Sequence, residues 1–200
     1  MGTENHTSGK ILVTLLKEPF TTHTITSLAN ELHITRQGLW KALNKLLSAK
    51  LISIKKIGKT KKSTVTINLN WSNPITEKTL SLLLTKEALE QERWIINFSE
   101  LEKNISFLIL FGSILHSPKE ANDIDLLAII KNPKKFKEID KYISKIQISQ
   151  IKKIHLIDLT ETEFVNELKK ENKAYLETLK KGTILYGQEN FIKFIKKLQT

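Results

Sequence analysis

The chain has no cysteine among its 200 residues. That excludes disulfides, thiolate zinc centres and cysteine nucleophiles. It also has no uninterrupted apolar run long enough to cross a bilayer, so no membrane partner is expected. The opening residues MGTENHTSGK lack the apolar core of a secretory signal, and His6 stands where a myristoylation motif needs Ser or Thr. A cytoplasmic protein is the expectation. There is no internal repeat and no low-complexity linker. Acidic residues are scarce at one end. Residues 1–72 hold 11 Lys or Arg against Glu4, Glu18 and Glu31, a net +8, whereas the rest carries 21 against 18. Such asymmetry points to a polyanion partner for the first third, against the plain alternative of a solvated surface in a chain rich in Lys, Ile and Asn.

Apolar spacing organises that first third into helices over about 8–19 (Ile11, Leu12, Leu15, Leu16), 24–32 (Leu28, Ala29, Leu32) and 36–49 (Leu39, Ala42, Leu43, Leu46, Leu47). Thr24 and Thr35 are suited to cap the second and third. Alternating segments Leu51–Ile57 and Ser63–Leu69 then flank the basic tip Gly58-Lys59-Thr60-Lys61-Lys62. Three helices and a hairpin make a winged helix-turn-helix. Asn73-Pro74 opens a long helical region to about Lys103, broken near Asn97-Phe98-Ser99. Beyond it, strands at Ser106–Phe111, Ile124–Ile130, Lys153–Leu159 and Thr183–Tyr186 alternate with helices at Phe136–Gln147, from Thr160 to about Leu179, and Glu189–Leu198. Thr160 and Glu163 have the spacing of a capping box.

The segment Phe107–Ile130, FLILFGSILHSPKEANDIDLLAII, concentrates the chemistry. An apolar run ends in Gly112-Ser113, where a phosphate can approach the backbone closely. Asp123 and Asp125 sit two apart at the head of the next apolar run, so a strand places both carboxylates on one face. Converging carboxylates beside buried aliphatics need compensation, and a hard divalent ion such as Mg²⁺ supplies it. The bland alternative is a set of solvated or salt-bridged aspartates.

This pattern, an apolar strand, Gly-Ser, a spacer, acid-apolar-acid and a second apolar strand, resembles the minimal nucleotidyltransferases of the DNA polymerase beta superfamily. The resemblance covers roughly residues 105–190, including the closing segment Lys181-Gly182-Thr183-Ile184-Leu185-Tyr186-Gly187. It implies two Mg²⁺ ions on Asp123 and Asp125, with an NTP, ATP as the expected one, as substrate. It also implies a third carboxylate on a later strand, for which Asp158 is the candidate. Gly112 and Ser113 would receive the nucleotide. Transfer of a nucleoside monophosphate to a hydroxyl follows, with positioning and charge neutralisation doing most of the catalysis. Relatives often carry an arginine shortly after Gly-Ser, and here Ile114, Leu115 and His116 stand there. Lys119 in the loop is a candidate substitute, against a simple solvated lysine. His155, opposite in alternation to Asp158, is expected to point away from the site.

The expected fold class is therefore α+β: a winged helix-turn-helix over 1–72, a linker helical region over 73–104 and a polymerase-beta-like nucleotidyltransferase α/β domain over 105–200. The first part also resembles archaeal and bacterial DNA-binding regulators. DNA is its expected partner, with protein contact or dimerisation as the alternative. Arg36 and Gln37 are placed to reach base edges, Lys41 and Lys45 to meet phosphates, and Lys59, Lys61 and Lys62 to follow the backbone or enter a minor groove. Trp40 is expected to pack at the module's edge. The resemblance allows a protein side chain, an RNA end or a small molecule as acceptor, including a toxin-like partner of an antitoxin, and a homodimer as the assembly. The alternative function is a transcriptional regulator whose second domain only senses nucleotides.

Overall fold

The computed structural model describes residues 2–57 and 64–199. The chain divides into two compact units, Met1–Leu83 with Phe194–Thr200, and Leu84–Lys193. The expected linker is not a separate segment. Its first part, through Leu83, belongs with the first unit, where Leu80 is fully buried. Its second part supplies Trp94, Phe98 and Leu101 to the core of the other.

In the first unit, helices α1 (Gly2–Lys17), α2 (Ile25–Glu31) and α3 (Arg36–Ser48) precede an antiparallel pair, β1 (Ile52–Ile57) and β2 (Thr64–Leu69). The caps form where hydroxyls stand ahead of each helix. Thr24 and Ser27 make a reciprocal capping box on α2, and the Thr35 hydroxyl accepts from the Gly38 amide at 3.1 Å. Ile11, Leu12, Leu15, Leu16, Leu28, Leu39, Leu43 and Ile67 are all buried. Helix α4 (Pro74–Leu89) starts behind Asn73, whose side-chain oxygen accepts from the Ile75 amide at 3.0 Å. The chain end returns to this unit. Trp71 Nε1 donates to Gln199 Oε1 at 3.0 Å, and Lys196 pairs with Glu77 at 2.7 Å.

The second unit holds α5 (Glu92–Asn97), a 3₁₀ turn at Ser99–Lys103, β3 (Ile105–Phe111), β4 (Asp123–Ile130), α6 (Phe136–Gln147), β5 (Lys153–Thr160), α7 (Glu161–Lys169), α8 (Lys173–Lys181), β6 (Thr183–Tyr186) and the start of α9 (Gln188–Gln199). Its sheet runs β5-β4-β3-β6, with β3 antiparallel to both neighbours and β4 parallel to β5. Strand alternation gives the sheet two covered faces. Ile124, Leu126, Ala128 and Ile130 share one core with Ile154, Leu156 and the α6 residues Ile139 and Ile143. On the other face, Phe107 is fully buried, with ring centroids 5.4 Å from Phe191 and 6.4 Å from Phe164. Among the described residues, no helix is long and apolar enough to cross a membrane.

Because Phe107 is shared by two aromatic partners in a fully buried position, Phe107→Ala is expected to lower unfolding free energy by about 3–5 kcal/mol. Denaturant titration followed by circular dichroism checks this.

Candidate active site at the end of the sheet

The site is built by register. Residue pairs across β3, β4 and β5 place Phe111 opposite Asp125, and Asp125 opposite His155, with Asp123 opposite Lys153. Paired residues project from the same face, so Asp123, Asp125 and His155 come together where the apolar part of the sheet gives out. Buried Ile124, Leu126 and Ile154 anchor the strands from the opposite face. Two side chains hold the approach to these strands. Gln147 accepts from the Ile154 amide at 2.8 Å and donates to the Lys152 carbonyl at 3.1 Å. Lys152 Nζ donates to the carbonyls of Ala121 and Lys119, the latter at 3.5 Å, which ties the loop before Asp123 to the start of β5.

Gly112 follows β3 with φ +81°, a region that disfavours side chains. A Cβ there would collide with Asp125 Oδ2. The glycine thus does two things: it takes the left-handed turn, and it leaves room for the carboxylate beside it. Ser113 opens the next 3₁₀ turn, Ser113–Leu115, and its carbonyl accepts from the Ser117 amide at 2.8 Å.

His155 Nδ1 lies 3.3 Å from Asp123 Oδ2 and 3.6 Å from Asp125 Oδ1. The three side chains are partly open, at 33% (Asp123), 25% (Asp125) and 44% (His155) exposure. Burial and then the Asp123 charge push the Asp125 carboxyl above the usual range, with the His155 charge and hydrogen bond opposing them. One ligand-type atom from each residue lies within 4.8 Å of the other two. This donor set fits a divalent cation: two clustered carboxylates and an imidazole nitrogen turned toward them. A second group with such spacing, Glu18, His23 and Glu31, lies in the first unit. Its imidazole is only 3% exposed, so the sheet-end group is the more open to solution.

Asp158 is not part of the site, contrary to expectation. It pairs with Ala128, three positions along β5 from His155, and an odd step in a strand reverses the face. The acidic neighbours it feels are Asp140 of α6 and Glu163 of α7. His155, expected to point away, takes the place facing the two aspartates. The signal lay in matching alternation: Asp123-Ile124-Asp125-Leu126-Leu127 runs beside Lys153-Ile154-His155-Leu156-Ile157, so the buried members coincide and the polar ones follow.

A cavity of about 400 Å³ adjoins the group, lined by Gly112, Ser113, Ile157, Tyr175, Thr178 and Lys181 among others. It is of the size that takes a small molecule. His116 also lines it, whereas Lys119, the expected loop cation, does not. Lys181 pairs with Glu177 at 2.5 Å and is well exposed. The two-carboxylate strand, the crowded glycine and the adjoining cavity all fall within one stretch of sequence. Residues 93–190 match the family model for polymerase beta nucleotidyltransferases. No curated protein and no solved structure matches the chain. The family match supports a nucleotidyltransferase-type function, and such domains typically work with divalent metals. The matched segment contains Gly112, Ser113, Asp123, Asp125 and His155.

In the first unit, Arg36, Gln37, Lys41 and Lys45 are all exposed on α3. Trp40 is 43% exposed among them. Lys59, Lys61 and Lys62 lie outside the described residues.

The Asp158 carboxyl is raised by burial first and by Asp140 and Glu163 after that, against its own backbone hydrogen bond. A carboxyl with a raised folded-state pKa favours the fold while protonated and loses that contribution as pH climbs through the folded value. Asp158→Asn is therefore expected to unfold at a higher temperature than wild type at pH 7. The difference should vanish below about pH 4, where both side chains are neutral. Thermal scans across pH check the sign.

Proposed function

We propose that the protein is a metal-dependent nucleotidyltransferase that moves a nucleoside monophosphate from an NTP to a hydroxyl on a protein or RNA. The observation that carries this is the convergence of Asp123 and Asp125 against Gly112 inside the matched nucleotidyltransferase segment. Asp123 and Asp125 would hold the divalent cation, Mg²⁺ being the ion that carboxylates and phosphates alone would select. When bound, that ion neutralises triphosphate charge and lowers the pKa of the acceptor hydroxyl.

The protein's own groups do the rest. Gly112 lets phosphate oxygens approach the backbone, and Ser113 offers its hydroxyl and amide. The cavity beside them takes the nucleoside, with Tyr175 and Ile157 as apolar wall. Lys181, at its rim, stands in for the arginine missing after Gly112-Ser113. The acceptor oxygen bonds to the α-phosphorus as the α–β bridging bond breaks. Pyrophosphate leaves, and the acceptor proton passes to a site carboxylate. The first unit acts as a winged helix that holds the enzyme on DNA, supported by the +8 segment and the exposed basic residues along α3.

One observation favours a second reading. The third position of the site is an imidazole rather than a carboxylate, which suits a nucleotide-sensing regulator with weak turnover. Purified protein with labelled ATP or CTP, a divalent cation and candidate acceptors separates the two. Label should appear on RNA, a co-purifying protein or the enzyme itself, and Asp123→Ala/Asp125→Ala should remove it while leaving the circular dichroism spectrum unchanged. Label persisting in that variant would sink the transferase reading. Nucleotide binding without transfer, coupled to a change in DNA affinity, would favour the regulator.

For the DNA face, Arg36→Ala should relax sequence preference by about 1–3 kcal/mol at one base position. Lys45→Ala should instead weaken binding to all sequences and reduce the salt slope by about one. Fluorescence anisotropy over a salt series measures both, and an absence of DNA binding at low salt would discard the assignment.

A further inference from the structure

We infer that His155 is the third ligand of the cation site, and that it turns this centre from Mg²⁺ toward first-row transition ions such as Mn²⁺ and Co²⁺. The inference rests on the reading of Asp123 and Asp125 as cation ligands and goes further in naming the ion class and the residue that selects it.

Three observations carry it. The β4–β5 register sets His155 directly beside Asp125, on the carboxylate face. Its Nδ1, a ligand-type atom, lies 3.3 Å from Asp123 Oδ2 and 3.6 Å from Asp125 Oδ1. Two donors bonded to one ion at 2.0–2.2 Å can be no more than about 4.4 Å apart, so both separations admit a shared ion. The strand that carries the imidazole is also held. Ile154 is buried, and its amide is fixed by Gln147, so the residue that follows projects from a constrained strand.

Ligand chemistry then decides the ion. Mg²⁺ takes oxygen donors and near-octahedral water and carboxylate shells. An imidazole nitrogen suits Mn, Fe, Co, Ni, Cu and Zn, whose affinities for nitrogen-containing sites rise along that row up to copper. Two carboxylates and one imidazole on a partly open face leave positions for phosphate oxygens or water. The competing arrangement is an imidazole that only hydrogen-bonds the two aspartates, and it predicts an ion preference that does not depend on His155.

The test uses the full-length protein without nucleotide, titrated calorimetrically with Co²⁺, Mn²⁺ and Mg²⁺, alongside spin-echo spectroscopy of bound Mn²⁺. Wild type should show modulation from a directly bonded ¹⁴N. His155→Asp should lose that modulation and shrink the ratio of Co²⁺ to Mg²⁺ affinity by about tenfold or more. Asp123→Asn should weaken all three ions. His155 is surface-placed, and circular dichroism of each variant confirms that the fold is intact. An unchanged affinity ratio in His155→Asp, no ¹⁴N coupling in wild type, or no Co²⁺ binding at millimolar concentration each overturns the inference. Nucleotidyl transfer is measured separately. Transfer without ¹⁴N coupling defeats the role of His155 alone, whereas ¹⁴N coupling without transfer defeats the transferase reading and leaves the metal centre standing.

Discussion

The contact between Asp125 and the backbone at Gly112 is the constraint on which the site depends. The carboxylate oxygen occupies the volume that any side chain at position 112 would fill. The turn after β3 and the second acid of β4 are therefore one unit. β3 and β4 are held in antiparallel register by Ile109 opposite Leu127 and Leu110 opposite Leu126, and that register delivers Phe111 to Asp125. β5 then adds His155 by parallel pairing. Each strand is fixed by apolar residues, and the polar residues arrive as a by-product of their alternation.

That division explains the electrostatics as well. The interior side of the sheet carries Ile124, Leu126 and Ile154, so the backbone under the site is dry. The carboxylates on the other side are only partly exposed. Burial and then the Asp123 charge raise Asp125, while the imidazole works against them. A group of this kind is poorly satisfied alone, and a bound cation would relieve it.

Much of the secondary structure was readable from residue type. Thr24, Thr35 and Thr160 cap where hydroxyls precede apolar periodicity, and helix α6 occupies the span its apolar spacing describes. The proximity of Gly112, Asp123 and Asp125 was legible because it is local: a tight turn, then two acids on one strand. The imidazole beside them was not. Alternation shows that His155 and Asp158 oppose each other, but which faces the acids is set by pairing between β4 and β5, a tertiary property absent from either strand by itself. The unit boundary was hidden for a related reason. Residues 73–104 read as a helical region with a break near Asn97-Phe98-Ser99, yet burial divides them earlier, with Leu80 in one core and Trp94 and Phe98 in another.

The three-residue separation of His155 and Asp158 has an evolutionary consequence. Strand alternation makes the choice between imidazole and carboxylate a matter of parity. A single inserted or deleted residue between them would set both on one face, and a shift of β5 by one step would exchange them. Gln147, by gripping both the amide of Ile154 and the carbonyl of Lys152, is the side chain that holds the strand to its present step. The identity of the side chain that faces the two aspartates can therefore change through a one-residue length change as well as through substitution, and Gln147 at the end of α6 is one of the contacts that resists such a slip.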